Sequence, residues 1–337
     1  VVHHPNRTQA RQALTLIETV ASISIIGILA AILIPAVQAV RESARKAHCQ
    51  DNLKQIALAT HAFHNANNAL PSFYNGTSLP FPLQEWDLFH THSWRATLLP
   101  HLEQTALRES IAWDSLATSL ENEPVATTVV PPYVCPSGTS PTTNMGWVIR
   151  YGSMSVPEPN RTEADICQVV RSDYDAMAGI LVIPDTSPSG VNPYSTKFVR
   201  WGVWGWPDFD NNAISGGKLL RYRPGKFRDI SDGLSNTIML VERGGRPIHL
   251  VDGRPKATPD NPDAVYLGQT GWSASNTFVW AINGHNVGIN QDNATGIYSS
   301  HAGGAYIALA DGSVSFLTES TDFHTLARMF GRSDGDR

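Results

Sequence analysis

Apolar side chains run almost without a break from Leu14 to Val37, and Glu18 is the only charge among them. As a helix, this stretch of about 24 residues rises about 1.5 Å per residue and is long enough to cross a bilayer. It is apolar on every side, as a membrane helix must be. A buried core helix of this length would carry more polar positions. A secretory signal would stop at a small-residue cleavage site, whereas this run passes directly into a helical pattern. Val37, Val40, Ala44 and Ala47 recur three or four apart, and Cys49, Leu53, Ile56, Thr60 and Phe63 form a second stripe. Both stripes fit one continuing amphipathic helix, with Arg41, Glu42, Arg45, Lys46, Asp51 and Lys54 on its other faces. Pro35 should bend this helix rather than end it. Asn65-Ala66-Asn67-Asn68 and Pro71 mark its end.

Beyond the helix the pattern changes period. A second helix is expected at 94–107, interrupted by Pro100. Short β-branched or aromatic runs bounded by Gly, Pro, Asn or Asp follow at Thr127–Val134, Gly179–Ile183, Thr237–Val241, Thr277–Ala281, Ala305–Leu309 and Val314–Leu317. The proline-rich stretch 252–263 reads as a surface loop. The fold class is therefore α+β: a long N-terminal hydrophobic helix, then a β-rich globular body built on an antiparallel sheet. Near the C-terminus, Tyr306 and Ala308 share one strand face, while Ile307 and Leu309 share the other. Asp311-Gly312 then suits a two-residue type I′ turn, and Ser313–Leu317 returns as the partner strand. Ten residues of extended chain span roughly 30 Å. His301 and Asp311 are thus expected at opposite ends of the strand, with His301 hydrogen-bonding backbone groups of the glycine-rich bend beside it.

Composition narrows the class. The 337 residues include 26 Gly and 22 Pro, which suits a body with many turns. A net charge of -5 argues against a nucleic-acid partner, which would call for a basic face. Three cysteines, Cys49, Cys135 and Cys167, allow one bridge, and none of their spacings is C-x-x-C.

Glu18 is the informative residue of the first segment. A carboxylate at the edge of an apolar run is costly and calls for a cationic partner. Its context, Arg11-Gln12-Ala13-Leu14-Thr15-Leu16-Ile17-Glu18, resembles the type IV prepilin signal. Alanine replaces the usual glycine at residue 13, and leucine the usual phenylalanine at residue 14. The resemblance implies cleavage between Ala13 and Leu14 by a prepilin peptidase, and methylation of the new terminus. It also implies pairing of Glu18 with the terminal amine of a neighbouring pilin-like subunit. Positive charges flank both ends of the segment, so charge alone does not orient it. The resemblance does: a leader over 1–13, a single-pass helix over 14–65 in the cytoplasmic membrane, and an extracytoplasmic body over 66–337. In that oxidising setting one disulfide is expected, Cys49–Cys135 or Cys135–Cys167.

Several body segments resemble a second, bacterial family: planctomycete-type pilin-like proteins with a large domain of unknown function and a C-terminal H-x9-D-G motif. The matching pieces are Cys49–Ile56, Trp94–Gln104, Tyr133–Ser137, Phe227–Ile238, and His301 with Asp311-Gly312. This family brings no established activity. The expected role is a structural one in a type IV pilus or a type II secretion pseudopilus.

An enzyme reading has little to work with. The chain carries no H-E-x-x-H, G-x-S-x-G or Walker loop. His61 and His64 share a helix face, and His90 and His92 would share a strand face, but no third metal ligand follows at motif spacing. Asp208, Asp210 and Asn212 place oxygens at alternate positions, as a calcium loop does, and Asn290, Asp292 and Asn293 form another oxygen-rich loop. The first lacks the glycine and distal glutamate of an EF-hand, so no cofactor is expected. The alternative role is a membrane-anchored binding module. Trp201, Trp204, Trp206 and Phe209 would then stack on carbohydrate or a protein partner if exposed, and would be core if buried.

Overall fold

A computed structural model describes residues 16–76, 91–117, 119, 121–138, 140, 142–146, 167–182, 198–209, 219–246, 248–256, 271–273, 278–282, 288–293 and 296–331. Helix α1 spans Leu16–Asn67 and continues through Pro35. Its first part is long and apolar enough to cross a membrane. There, large apolar side chains such as Ile23, Ile26, Ile32 and Val40 are all at least 60% exposed. The two serines within this stretch are satisfied locally. Ser22 Oγ donates to the Glu18 carbonyl and Ser24 Oγ to that of Val20, which removes the cost of an unpaired hydroxyl in an apolar setting.

The chain divides into two compact units between Arg45 and Lys46. The reason lies in the second stripe. Cys49, Leu53, Ile56 and Thr60 are completely buried, so the C-terminal turns of α1 are part of the body's core. Each buried Leu or Ile contributes roughly 1.5–3 kcal/mol of apolar burial. The stripe Val37, Val40, Ala44 and Ala47 stays exposed.

The body follows in chain order as α2 (Trp94–Leu98), α3 (Thr105–Glu109), α4 (Glu123–Ala126), β1 (Thr143–Gly146), β2 (Cys167–Val170), β3 (Tyr174–Val182), β4 (Phe198–Trp201), β5 (Gly205–Phe209), β6 (Leu219–Pro224), β7 (Ile238–Glu242), β8 (Leu250–Val251), β9 (Arg254–Pro255), β10 (Phe278–Ile282), β11 (Gly304–Leu309), β12 (Val314–Thr318) and α5 (Phe323–Phe330). Its centre is a six-stranded sheet in the order β10-β3-β7-β11-β12, with β4 also paired to β3. All pairings in it are antiparallel except β10 with β3. The small antiparallel pairs β1–β2, β5–β6 and β8–β9 lie outside it.

The sheet separates two apolar layers. On one side Tyr174, Ala176, Leu240, Ala308 and Ala310 pack with the core stripe of α1 and with Trp94, Trp204 and Trp272. On the other, Met177, Ile238, Val241, Ile307 and Leu309 pack with Leu326, Ala327 and Phe330 of α5. The strand register skips Met239, since Ala308 pairs with Leu240 and Leu309 with Ile238. Such a bulge frees a backbone carbonyl, and Trp204 Nε1 donates to that of Met239 at 2.7 Å.

Three expected elements differ. Residues 127–134 form no strand, because Pro131-Pro132 enforce a 3₁₀ turn over Pro131–Tyr133 after the short helix α4. The helix expected at 94–107 breaks into α2, a 3₁₀ turn over Leu99–Leu102 and α3. Pro100 lacks the donor that would continue the first segment, and Glu103 adopts φ +60°. Within the expected loop 252–263, Asp252-Gly253 closes the small hairpin β8–β9; residues 257–263 lie outside the described residues.

Candidate functional site

Several contacts fasten α1 to the body. Cys49 forms a disulfide with Cys135, the first of the two pairings open from sequence. One turn on, Asn52 Nδ2 donates to the Val134 carbonyl at 3.0 Å and to Tyr174 Oη at 3.3 Å. Lys54 Nζ reaches the Gly312 carbonyl at 2.6 Å. The two ends of the H-x9-D-G motif thus meet α1 at different heights: His301 lies beside the disulfide, and Gly312 lies under Lys54 and His61.

The turn at Asp311-Gly312 is not the expected two-residue type I′ turn. Gly312 N–H donates to the Leu309 carbonyl and Leu309 N–H to the Ser313 carbonyl. Gly312 takes φ +81°, whereas Asp311 does not adopt a positive φ. This is a three-residue loop, Ala310–Gly312, with glycine in the left-handed position. Asp311 is held there by its own carboxylate, which accepts from Ser313 N–H at 2.8 Å and from Ser313 Oγ at 2.6 Å. Burial opposes its charge, but the Ser313 bonds and Lys54 prevail and hold its carboxyl below the usual range.

His301 has a fully buried ring that lies among side chains. Nε2 lies 3.8 Å from Cys135 Sγ and 3.5 Å from Glu242 Oε1, and the ring sits edge-on to Tyr306. Glu242, at the end of β7, accepts from Tyr306 N–H through its other oxygen at 2.8 Å. Cys49, Cys135, Glu242 and His301 thereby bring four potential ligand atoms within 4.8 Å of one another.

Buried charges surround this cluster. Asp173 accepts from Cys135 N–H at 2.8 Å and from Arg171 Nε at 2.9 Å. Burial pushes its carboxyl up, with Arg171 opposing. Asp175 bridges Arg95 at 2.7 Å and Arg243 at 2.8 Å. Arg246 is equally buried, and burial beside Arg243 lowers its pKa well below the ordinary arginine value. None of Glu242, Asp173, Asp175 and Arg243 belongs to a recognisable sequence motif. The one available signal was the density of charge in Arg171-Ser172-Asp173-Tyr174-Asp175 and Glu242-Arg243, beside strands apolar enough to be buried on both faces. A cleft of about 590 Å³ opens over the cluster, with His301 in its wall and Asp252, Asn290, Gln291, Ser299 and Glu319 around it.

The other sequence candidates resolve as follows. His61 stacks on Phe227 and His64 packs against the same ring at a tilt, each with centroids 4.4 Å apart, so together they grip an aromatic ring. His92 is buried against Trp113, with Nε2 at 3.1 Å from the Ser115 carbonyl; His90 lies outside the described residues. Asp208 belongs to β5, opposite Arg221, while Asp210 and Asn212 lie outside the described residues. The second oxygen-rich loop is a hydrogen-bonded turn. Asp292 engages His249 at 3.0 Å. Asn293 accepts from Leu250 N–H and donates to the Gly244 and Ile248 carbonyls. Trp204 is core, packed on Trp94 and Phe73. Ala13 and Leu14 lie outside the described residues, and Glu18 occupies the first turn of α1.

Fold and site together define an α+β protein whose long, apolar N-terminal helix runs on into the core of its globular body. The chain belongs to the family described as protein of unknown function (DUF1559), which matches it over residues 38–324. No curated protein and no solved structure matches the chain.

Proposed function

We propose that the chain is a pilin-like structural subunit, held in the cytoplasmic membrane by α1 with its body outside the cytoplasm, and that it packs against other pilin-like subunits through that helix. One observation carries this reading: a single 52-residue helix is apolar and exposed over its first half and core over its second. A helix whose only task was to anchor would not need to be continuous with the core. The prepilin-like sequence Ala13–Glu18 adds the processing step and a carboxylate to receive a neighbour's terminal amine. The core disulfide suits a body outside the cytoplasm.

The test is made on protein from the native membrane. Intact mass should correspond to a chain starting at methylated Leu14. Glu18→Ala should leave membrane insertion intact, since it removes a charge, yet lower the yield of cross-linked assemblies. A mature chain retaining residues 1–13, or equal assembly by both forms, overturns the reading. The polar cleft over His301 favours a second reading, a membrane-anchored binding module. Trp204 cannot serve that module as a stacking platform, because it is fully buried.

A further inference from the structure

The Cys49–Cys135 disulfide, His301 and Glu242 come from four separate pieces of chain: α1, the turn after Tyr133, the bend before β11 and the end of β7. All four residues are buried. The 3.5 Å approach of His301 Nε2 to Glu242 Oε1 is too long for a good hydrogen bond, and Oε1 has no hydrogen-bond partner among the described residues. Leaving a buried carboxylate oxygen in that state is unfavourable unless something else satisfies it.

The distances suggest what would. In tetrahedral zinc sites the Zn–N and Zn–O bonds are about 2.0–2.2 Å and Zn–S about 2.3 Å, so neighbouring ligand atoms lie about 3.3–3.8 Å apart. The His301–Glu242 separation of 3.5 Å and the His301–Cys135 separation of 3.8 Å already match those edges. The two sulfurs depart from the pattern because they are bonded to each other, and all four ligand atoms lie within 4.8 Å of one another.

We propose that reduction of the Cys49–Cys135 disulfide converts this cluster into a buried Cys₂-His-Glu site for a zinc-type divalent cation. A dithiol reductant breaks the S–S bond and becomes a disulfide itself, its two protons passing to the cysteine sulfurs. Each thiol then releases its proton to water as its thiolate binds the ion. His301 binds through Nε2 and carries its proton on Nδ1. Glu242 binds through Oε1, while Tyr306 N–H holds Oε2 and fixes the carboxylate's orientation. Two thiolates and a carboxylate around a divalent ion leave one net negative charge. Arg171, which donates to the Cys135 carbonyl at 3.2 Å, helps to offset it. The ion enters from the cleft, since Ser299 and Ser300 line both the cleft and the small space beside Cys135 and Glu242. Either state ties α1 to the sheet, by a covalent bond or by a coordinated ion.

The experiment uses the full chain in detergent micelles and metal-free buffer, oxidised or reduced with a water-soluble phosphine. The phosphine takes oxygen from water, becomes the phosphine oxide and leaves two thiols. Cobalt(II) is titrated first and zinc(II) second, with circular dichroism reporting the fold throughout. Reduced wild type should bind one cobalt per chain, with a thiolate-to-cobalt charge-transfer band and the intense visible bands of a tetrahedral site, and zinc should displace it. Oxidised protein should show neither band. Glu242→Gln and His301→Gln should each weaken cobalt binding tenfold or more, two variants being used so that a folding failure in one leaves the other. Cys167→Ser should change nothing. The proposal is overturned by reduced, folded wild type without the charge-transfer band. It is equally overturned by a band that survives in both the Glu242 and His301 variants, or by reduced protein that unfolds and is not restored by zinc.

Discussion

Lys54 Nζ and the carbonyl oxygen of Gly312 lie 2.6 Å apart across 258 positions of sequence, and this bond fastens α1 to the tip of the β11–β12 hairpin. It explains why a glycine at this position matters twice. Its φ of +81° is strained for any side chain, and a Cβ would sit 3.4 Å from His61 Nε2. Gly312→Val should therefore destabilise by about 2 kcal/mol or more. Lys54→Met should cost about 1 kcal/mol, because the lysine is exposed and its bond is in competition with water. Denaturant unfolding of the full chain in micelles, followed by tryptophan fluorescence, measures both. Unchanged midpoints would show that the motif does not hold the helix in place. A truncated chain beginning at residue 66 would not serve, since it lacks Cys49, Leu53 and Ile56 of the core.

The protein should lose stability in mild acid. Burial lowers the pKa of His61, His64 and His92 below 6.5; Lys54 adds to this at His61, His61 and Lys226 at His64, and Arg108 at His92. The Ala310 backbone and Asp311 oppose the shift at His61, but do not reverse it. Because the unfolded chain binds these protons more readily, the stabilisation is complete above about pH 6.5 and is lost as pH falls below it. Asp311, with its pKa lowered, adds a loss in the same direction at lower pH, as its carboxylate is protonated. Denaturant midpoints should fall between about pH 7 and pH 5, and His92→Gln should flatten that slope. A midpoint that rises toward pH 5 would contradict the shifts assigned to the histidines, and would mean that the raised carboxyl of Asp173, which favours the fold as pH falls, outweighs them.

The disulfide joins residues 86 positions apart. Constraining an unfolded loop of that length stabilises the fold by about 4–5 kcal/mol in the chain-entropy account, with measured values of about 2–5. Cys49→Ser with Cys135→Ser should lose an amount in that range. Peptide mapping without reductant should recover Cys49 linked to Cys135, and a Cys135–Cys167 peptide would refute the pairing.

Asp175 sits between two buried guanidinium groups, Arg95 and Arg243. Asp175→Asn keeps its size but leaves two buried cations without their carboxylate. A loss of about 3–5 kcal/mol is expected by denaturant unfolding. A change under 1 kcal/mol would mean that water or other groups replace the carboxylate at no cost.

Much of this fold is legible in the residues because it rests on periodicity. The stripe Cys49, Leu53, Ile56 and Thr60 names its buried face directly, whereas the alternation from Ala305 to Leu309 names the two faces of a strand that is buried on both. The turn type at Gly312 is not legible in this way, since Asp-Gly fits both a two-residue turn and the three-residue loop that forms. The choice is made by strand register and by Lys54. Glu242 and Asp175 were out of reach for a related reason. A charge at the end of an apolar strand looks like a boundary, and only the tertiary fold shows it to be buried among cations.

The order of contacts along α1 has a mechanical consequence. Cys49 is the first fully buried residue after the exposed stretch, and the core stripe continues from it to Thr60. Any tension applied through Leu16–Arg45 would peel the helix off the sheet from this end, one turn at a time. Non-covalent contacts loaded in that geometry fail in sequence, each at low force. Beyond the contact of Lys46 with the Phe316 ring, the first buried link met is a covalent bond, so the load passes into the sheet through Cys135, and the turns beyond it are shielded.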